Sequence, residues 1–296
     1  MFLKLLRAKL HGGTGDLARD AGDYWSMSDV NERIRDQSHW FGEGRWGRDR
    51  WLAYGDFFFD LACRRIREAA GEAWPAGMES KTALDWGCGG GAITRALCAR
   101  FGFVYGLDIS AATLRECDKR IREFAGREAA GTVREDGETS RRAVAVRDAD
   151  FRPVFIPAAA PEEALQIIPP GSVDFMISIG VFKHFPSREY TGRVLRIMAR
   201  LLKEGGFLFV QIRDFDGEEK YRPKDRDYAR NVITMTSFTF PEFAVRTEGA
   251  GLALLHRQRD GDGEKEHHAY YLLSKSATAP DNPGGPGPHD GLTDGG

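Results

Sequence analysis

Residues 82–97 read Thr-Ala-Leu-Asp-Trp-Gly-Cys-Gly-Gly-Gly-Ala-Ile-Thr-Arg-Ala-Leu. A short apolar run ends in Asp85, a loop carrying Gly87, Gly89, Gly90 and Gly91 follows, and a helical pattern then begins. Glycines at such a turn allow a positive φ and let a ligand approach the main chain. A strand that stops in a carboxylate and a bare loop, then starts a helix, forms a nucleotide-type pocket. A second acid, Asp108, closes the next apolar run, Val104-Tyr105-Gly106-Leu107. That offset, about 20 residues beyond the loop, is where such sites hold a ribose hydroxyl.

On the N-terminal side, residues 56–73 read as a helix with Phe57, Phe58, Leu61, Ile66 and Ala69 on its buried side. A strand over 82–85 leads through the loop into a helix over 91–100. A second strand covers 103–107, and a polar amphipathic helix runs from Ala111 to about Arg127. Residues 130–150 are charged and irregular and are expected to form a surface insertion. Two runs qualify as the third strand, Ala143-Val-Ala-Val146 and Pro153-Val-Phe-Ile156; the second is preferred because it leads directly into Pro161-Glu-Glu-Ala-Leu. The fourth strand, Val173–Ser178, enters from the turn Pro169-Pro170-Gly171. Pro186 suits the first turn of a helix that continues to Lys203 and ends at Gly205-Gly206. Phe207–Ile212 is apolar on both faces, as a central buried strand requires. Pro241 opens a helix that closes at Gly251, and strands over 252–258 and 267–273 follow, joined by Asp260-Gly-Asp-Gly263. Strands alternating with helices and ending in a hairpin define an α/β sheet with an antiparallel edge.

Composition narrows the partners. Lys and Arg number 42 against 44 Asp and Glu, a net charge of −2, so the basic excess of a nucleic-acid protein is missing. Hydrophobic residues make up 42% of the chain, enough for a sizeable core. Cys63, Cys88, Cys98 and Cys117 lack C-x-x-C spacing and read as reduced thiols of a cytoplasmic protein. No run reaches the roughly 18 apolar residues of a membrane span, so no integral membrane contact is expected. Met1–Leu10, apolar and basic, reads as a loose terminal helix. Residues 276–296, rich in Pro, Gly, Asp and Ala, are expected to be a disordered tail. The oligomeric state stays open.

Together these motifs resemble the class I S-adenosylmethionine-dependent methyltransferases over roughly residues 51–275. Asp85-x-Gly87-x-Gly89-x-Gly91 is similar to that family's first motif. Asp108-Ile109 is similar to its ribose-binding acid and the apolar neighbour that packs on adenine, and Ser172–His184 to its fourth-strand motif. Leu201-Leu-Lys-Glu-Gly-Gly206 is similar to the turn before its fifth strand. The resemblance implies a Rossmann-like, mostly parallel seven-stranded sheet flanked by helices, with S-adenosyl-L-methionine as cofactor. It implies cofactor contacts from Asp85, Gly87, Cys88, Gly89, Asp108, Ile109, Ser178 and Ile179, with Asp85 facing the methionine end. One departure stands out: Pro157-Ala158-Ala159-Ala160 offers only backbone groups where the family often has a polar residue beside adenine. Gly87-x-Gly89-x-x-Ala92 also satisfies the dinucleotide fingerprint. An NAD(P)-dependent oxidoreductase is therefore the competing enzyme, and a catalytically silent Rossmann-like binding protein the competitor from another class.

His184, just beyond the fourth strand, is the candidate base; the alternative is a histidine that orders the loop or lines the pocket. Residues 178–181 are Ser-Ile-Gly-Val, not the Asn/Asp-Pro-Pro-Tyr associated with methylation of base amino groups. A small-molecule acceptor is expected, methylated at a hydroxyl of a metabolite or sugar. Residues 1–50 are expected to cap the pocket as a lid, with Trp40 and Trp46 (and Trp51) stacking on a ring and Arg45 (or Arg48 or Arg50) meeting an anion. The same Trp residues serve equally as packing for that segment. His256 and His267-His268 read as strand residues, and no metal site is expected.

Overall fold

A computed structural model describes residues 16–71, 74, 76–128, 151–224, 226–259 and 267–275. The expected insertion at 130–150, the alternative strand at 143–146, the turn at 260–263, the tail from 276 and Met1–Leu10 lie outside these residues. Five strands run parallel: β1 (Thr82–Trp86), β2 (Phe103–Asp108), β3 (Phe151–Phe155), β4 (Val173–Ser178) and β5 (Leu202–Arg213). With β6 (Leu252–Arg259) and β7 (His268–Lys275) they form one seven-stranded sheet, ordered β3-β2-β1-β4-β5-β7-β6, in which β7 is antiparallel to both neighbours. The expected fold class holds, including the antiparallel C-terminal hairpin.

Nine helices accompany the strands among the described residues: α1 (Leu17–Trp25), α2 (Glu32–Gln37), α3 (Arg48–Ala70), α4 (Ala92–Cys98), α5 (Ala111–Glu128), α6 (Ala164–Ile167), α7 (Arg188–Leu201), α8 (Tyr228–Asn231) and α9 (Phe240–Gly249). The central strand shows how the sheet feeds two cores. Phe207 and Phe209 of β5 join Phe58, Leu61 and Leu97 on one face, while Leu208, Val210 and Ile212 join Val194, Met198 and Phe243 on the other. The period-2 alternation of a strand buried on both sides produces this split. Side-chain caps fix several helix starts: Ser187 Oγ accepts from the Tyr190 N–H at 3.0 Å, and Thr239 and Glu242 form a reciprocal capping box ahead of α9.

Two boundaries differ from the sequence reading. The long helix begins at Arg48, not at residue 56, and runs straight through Gly55. A Cβ on Gly55 would stand 2.0 Å from the Ala92 carbonyl oxygen, so this glycine marks close helix contact with α4, not a break. The buried face of this helix also differs from the expected one: Phe57 is 57% exposed and Ala69 is exposed, while Trp51, Phe59 and Ala62 are buried beside the expected Phe58, Leu61 and Ile66. Gly205, at φ +71°, sits within an irregular start of β5, which follows α7 directly after Leu201. Pro153 is accepted in β3 because that strand is the sheet edge. The stretch between β5 and α9, unassigned by sequence, returns over the sheet: Tyr228, Val232 and Met235 pack with Ala21, Tyr24 and Ile34.

Candidate active site

The strand order reverses between β1 and β4, and at this switch point the carboxyl ends of β1, β2 and β4 open into a cleft. It encloses about 810 Å³, part of it open to solvent. Gly87, Gly89, Asp108, Ile109, Ile179 and Gly180 form its floor. Ala21, Trp25, Gln37, Ser38 and His39 come over it from the N-terminal segment, and Phe185, Pro186, Tyr190 and Tyr228 close the far wall.

Asp108 ends β2 and lies in the cleft, with Oδ1 accepting from the Ser110 N–H (2.9 Å) and Oδ2 from the Gly89 N–H (3.0 Å). Burial pushes its carboxyl up to about 6, against those backbone donors that pull it down. Gly89, at φ +53°, serves a purpose the sequence did not disclose. A Cβ there would lie 2.6 Å from the Ser38 carbonyl oxygen, and the Gly90 N–H donates to the same oxygen at 2.6 Å. The bare loop lets the N-terminal segment dock on it as well as leaving room for a ligand.

Three of the expected cofactor contacts point elsewhere. Asp85 is 2% exposed, does not line the cleft, and accepts from Thr94 Oγ1 at 2.7 Å behind the loop. Burial drives its carboxyl up to about 7. Ser178 is fully buried and donates from Oγ to the Trp86 carbonyl at 2.9 Å, so it ties β4 to β1. Cys88 is buried beside Cys117, and burial raises its thiol well above the usual range. The alternation of β-strand side chains sends Asp85 and Ser178 away from the cleft.

His184 does line the cleft. Its Nδ1 stands 2.6 Å from the Val232 carbonyl, which can only accept, so Nδ1 carries the proton and Nε2 keeps its lone pair. Burial, with the nearby Lys183 charge, lowers this imidazole to about 3. Trp25 meets the ring edge-on at 5.1 Å, and its Nε1 donates to Tyr228 Oη (2.9 Å), which donates to the His184 carbonyl (2.7 Å).

The expected acceptor residues are not in the cleft. Trp46 is 2% exposed and donates to the Asp36 carbonyl, with Arg45 and Arg50 over its ring. Trp51 is fully buried, stacks on Phe124 and donates to the His39 carbonyl at 2.9 Å. Trp40 Nε1 reaches Thr113 Oγ1 at 3.4 Å. Arg45 pairs with Asp36 and Arg48 covers Phe124. These residues build the segment that covers the cleft. The residues that do face it, Trp25, His39, Tyr190 and Tyr228, gave no sequence signal beyond being aromatic. Asp216, Glu218 and His267 offer ligand atoms within 4.8 Å of one another, but the same carboxylates pair with Arg259 and Lys220. Among the described residues no helix is long and apolar enough to cross a membrane.

Residues 84–210 match the model of the methyltransferase domain family. That match, together with the seven-stranded sheet, supports a class I S-adenosylmethionine-dependent methyltransferase domain over this stretch, a family whose cofactor is S-adenosyl-L-methionine. It is similar to the ubiquinone biosynthesis O-methyltransferase of Nitrosomonas europaea, 26% identical over 133 residues, 45% of this chain and 44% of that protein. The protein of the same name from Cupriavidus pinatubonensis is 27% identical over 135 residues, 46% and 42% of the two chains. The chain thus matches less than half the length of these relatives. In fold it is similar to magnesium protoporphyrin IX methyltransferase of Synechocystis, with a TM-score of 0.54 at 14% identity over 88% of this chain and 98% of that one.

The residues present suit this cofactor. Asp108 brings the sole charged side chain among the described lining residues, and neither Lys nor Arg joins it, so a sulfonium meets a carboxylate and no cation on the lining. The lining side chains of Ile109, Ile156 and Ala158 offer an apolar bed beside Asp108.

Proposed function

We propose that this chain transfers a methyl group from S-adenosyl-L-methionine to a hydroxyl oxygen of a small-molecule acceptor. The observation that carries this reading is His184, fixed in the tautomer that leaves Nε2 unprotonated at the wall of the cleft. The curated relatives named as O-methyltransferases support oxygen as the atom methylated. When bound, the cofactor supplies a sulfonium methyl that a nucleophile displaces in line. On this reading Asp108 accepts from the ribose hydroxyls, the Gly87–Gly89 loop lies along the methionine portion, and Ile109, Ile156 and Ala158 pack on adenine.

His184 Nε2 accepts the acceptor's O–H and turns an oxygen lone pair toward the methyl. Full proton transfer beforehand is too costly. A phenol, with an ordinary pKa near 10, lies well above this imidazole, and an aliphatic hydroxyl lies further above it. The proton therefore leaves late, as the new C–O bond acidifies the oxygen, and passes to Nε2. This order favours an acidic hydroxyl, a phenol or enol, over a sugar hydroxyl. The Trp25, Phe185 and Tyr190 faces supply the flat apolar surroundings such a ring needs.

The test follows radiolabelled methyl from the cofactor into a panel of phenols and sugars, with His184→Gln alongside. Transfer to a phenol, reduced about 10²-fold or more in His184→Gln at unchanged cofactor affinity, is the expected result. Tight cofactor binding with no transfer to any hydroxyl would point instead to a silent binding protein.

A further inference from the structure

The N-terminal segment places a second histidine opposite His184. His39 takes the left-handed backbone conformation, φ +58°, uncommon for a residue with a side chain. Several contacts hold it there. Its carbonyl accepts from Trp51 Nε1 at 2.9 Å, and the Gly90 backbone packs against the same oxygen. Its ring sits 4.2 Å from that of Trp46 and 4.7 Å from that of Tyr54. Neither ring nitrogen has a hydrogen-bond partner among the described residues, and neither is a sealed, unpaired atom. His39 lines the cleft, and its ring carbon Cε1 stands 3.9 Å from the Cβ position of Gly180. Residues held in such conformations cluster at binding and active sites.

The charge of this end of the cleft is equally distinctive. No Lys or Arg lines it among the described residues, and the one carboxylate, Asp108, lies across the glycine loop on the β2 side. Burial lowers His39, like His184, to about 3, so neither ring supplies a positive charge at neutral pH. An anionic acceptor would lose its hydration here, while the nearest cations, Lys183, Arg45 and Arg50, stand outside the lining.

We propose that His39 is a second acceptor-binding residue, and that it and His184 hold neighbouring oxygens of an uncharged planar ring. This rests on the methyl-transfer reading: His184 Nε2 accepts the O–H, and an N–H of His39 donates to a neighbouring oxygen of the same ring. The roof therefore selects the acceptor, while the floor takes the cofactor.

The test uses the full chain saturated with S-adenosylhomocysteine, whose own binding is first measured by calorimetry. Failure at that step breaks the methyl-transfer reading and not this one. Two probes with the same ring and hydroxyls, 4-methylcatechol and 3,4-dihydroxybenzoate, are then titrated, read by quenching of tryptophan fluorescence. The neutral probe is expected to bind about tenfold tighter or better. His39→Asn, a residue that tolerates the left-handed backbone, shortens the side chain away from the cleft. It should keep S-adenosylhomocysteine affinity and melting temperature while weakening 4-methylcatechol about fivefold or more, the loss of one hydrogen bond. Equal or tighter binding of the benzoate, binding of neither probe, or 4-methylcatechol affinity unchanged in His39→Asn would each overturn the proposal.

Discussion

The floor of the cleft and its roof are built by opposite means. The floor is backbone: strand ends, a glycine loop at positive φ, and one carboxylate clamped by two N–H donors. The roof is side chains: Trp25 on Tyr228, Tyr24 on Gln37, Ser28 on Ser110, and Trp51 on Phe124. Backbone geometry serves any ligand sharing the same nucleotide-like portion, whereas side chains can be exchanged to suit one acceptor. The seam between them is the Ser38–His39 backbone lying on Gly89 and Gly90.

Breaking that seam should have the largest effect. Gly89→Ala puts a Cβ 2.6 Å from the Ser38 oxygen at a φ of +53°. A cost of about 2–4 kcal/mol is expected, seen as a lower melting temperature together with lost cofactor affinity. Within the roof, Trp46→Ala empties a fully packed site and should cost about 3–5 kcal/mol in chemical denaturation, with no acceptor-specific change beyond the loss of fold. On the floor, Asp108→Asn should weaken S-adenosylhomocysteine about tenfold to a hundredfold by calorimetry, the worth of hydrogen bonds to a charged group.

Acid separates the same two regions. Asp108 titrates near 6 in the folded chain, so cofactor affinity should fall as pH drops from about 7 to about 5 and the carboxylate takes up a proton. Stability should not fall with it on account of Asp108 or Asp85. Both have folded values raised above the unfolded ones, so protonation over that window favours the folded state, and the destabilising charge is present above it. Their contribution to stability declines as pH rises through about 6 and about 7. The smallest effect belongs to Arg45→Ala. Arg45 is half exposed and paired with Asp36 outside the cleft, and such pairs are worth about 0–1 kcal/mol, so acceptor KM should not move.

The same division explains what was legible in the sequence. Strand periodicity, the glycine loop and the offset to Asp108 are local patterns, and all reappear in the fold. Which way a side chain leaves the backbone is a tertiary property. Asp85 and Ser178 lie in the right strands yet point behind the cleft, to Thr94 and to Trp86. Trp46 and Arg45 drew attention by composition, while His39 beside them in sequence is the residue that reaches the cleft. The helix read from residue 56 starts earlier, at Arg48, and nothing local announces that Gly55 lies against the Ala92 carbonyl. The Tyr228–Met235 stretch carried no motif, and its place in the roof depends on contacts with Ala21 and Ile34 far away in the chain.

The central claim is that the floor binds the adenosyl and methionine portions of S-adenosyl-L-methionine through Asp108 and the glycine loop. Calorimetric titration of the full chain with S-adenosylhomocysteine and, separately, with NAD tests it most directly. Saturable binding of S-adenosylhomocysteine that Asp108→Asn weakens, with no heat from NAD, is the predicted result. Binding of NAD without binding of S-adenosylhomocysteine would contradict it.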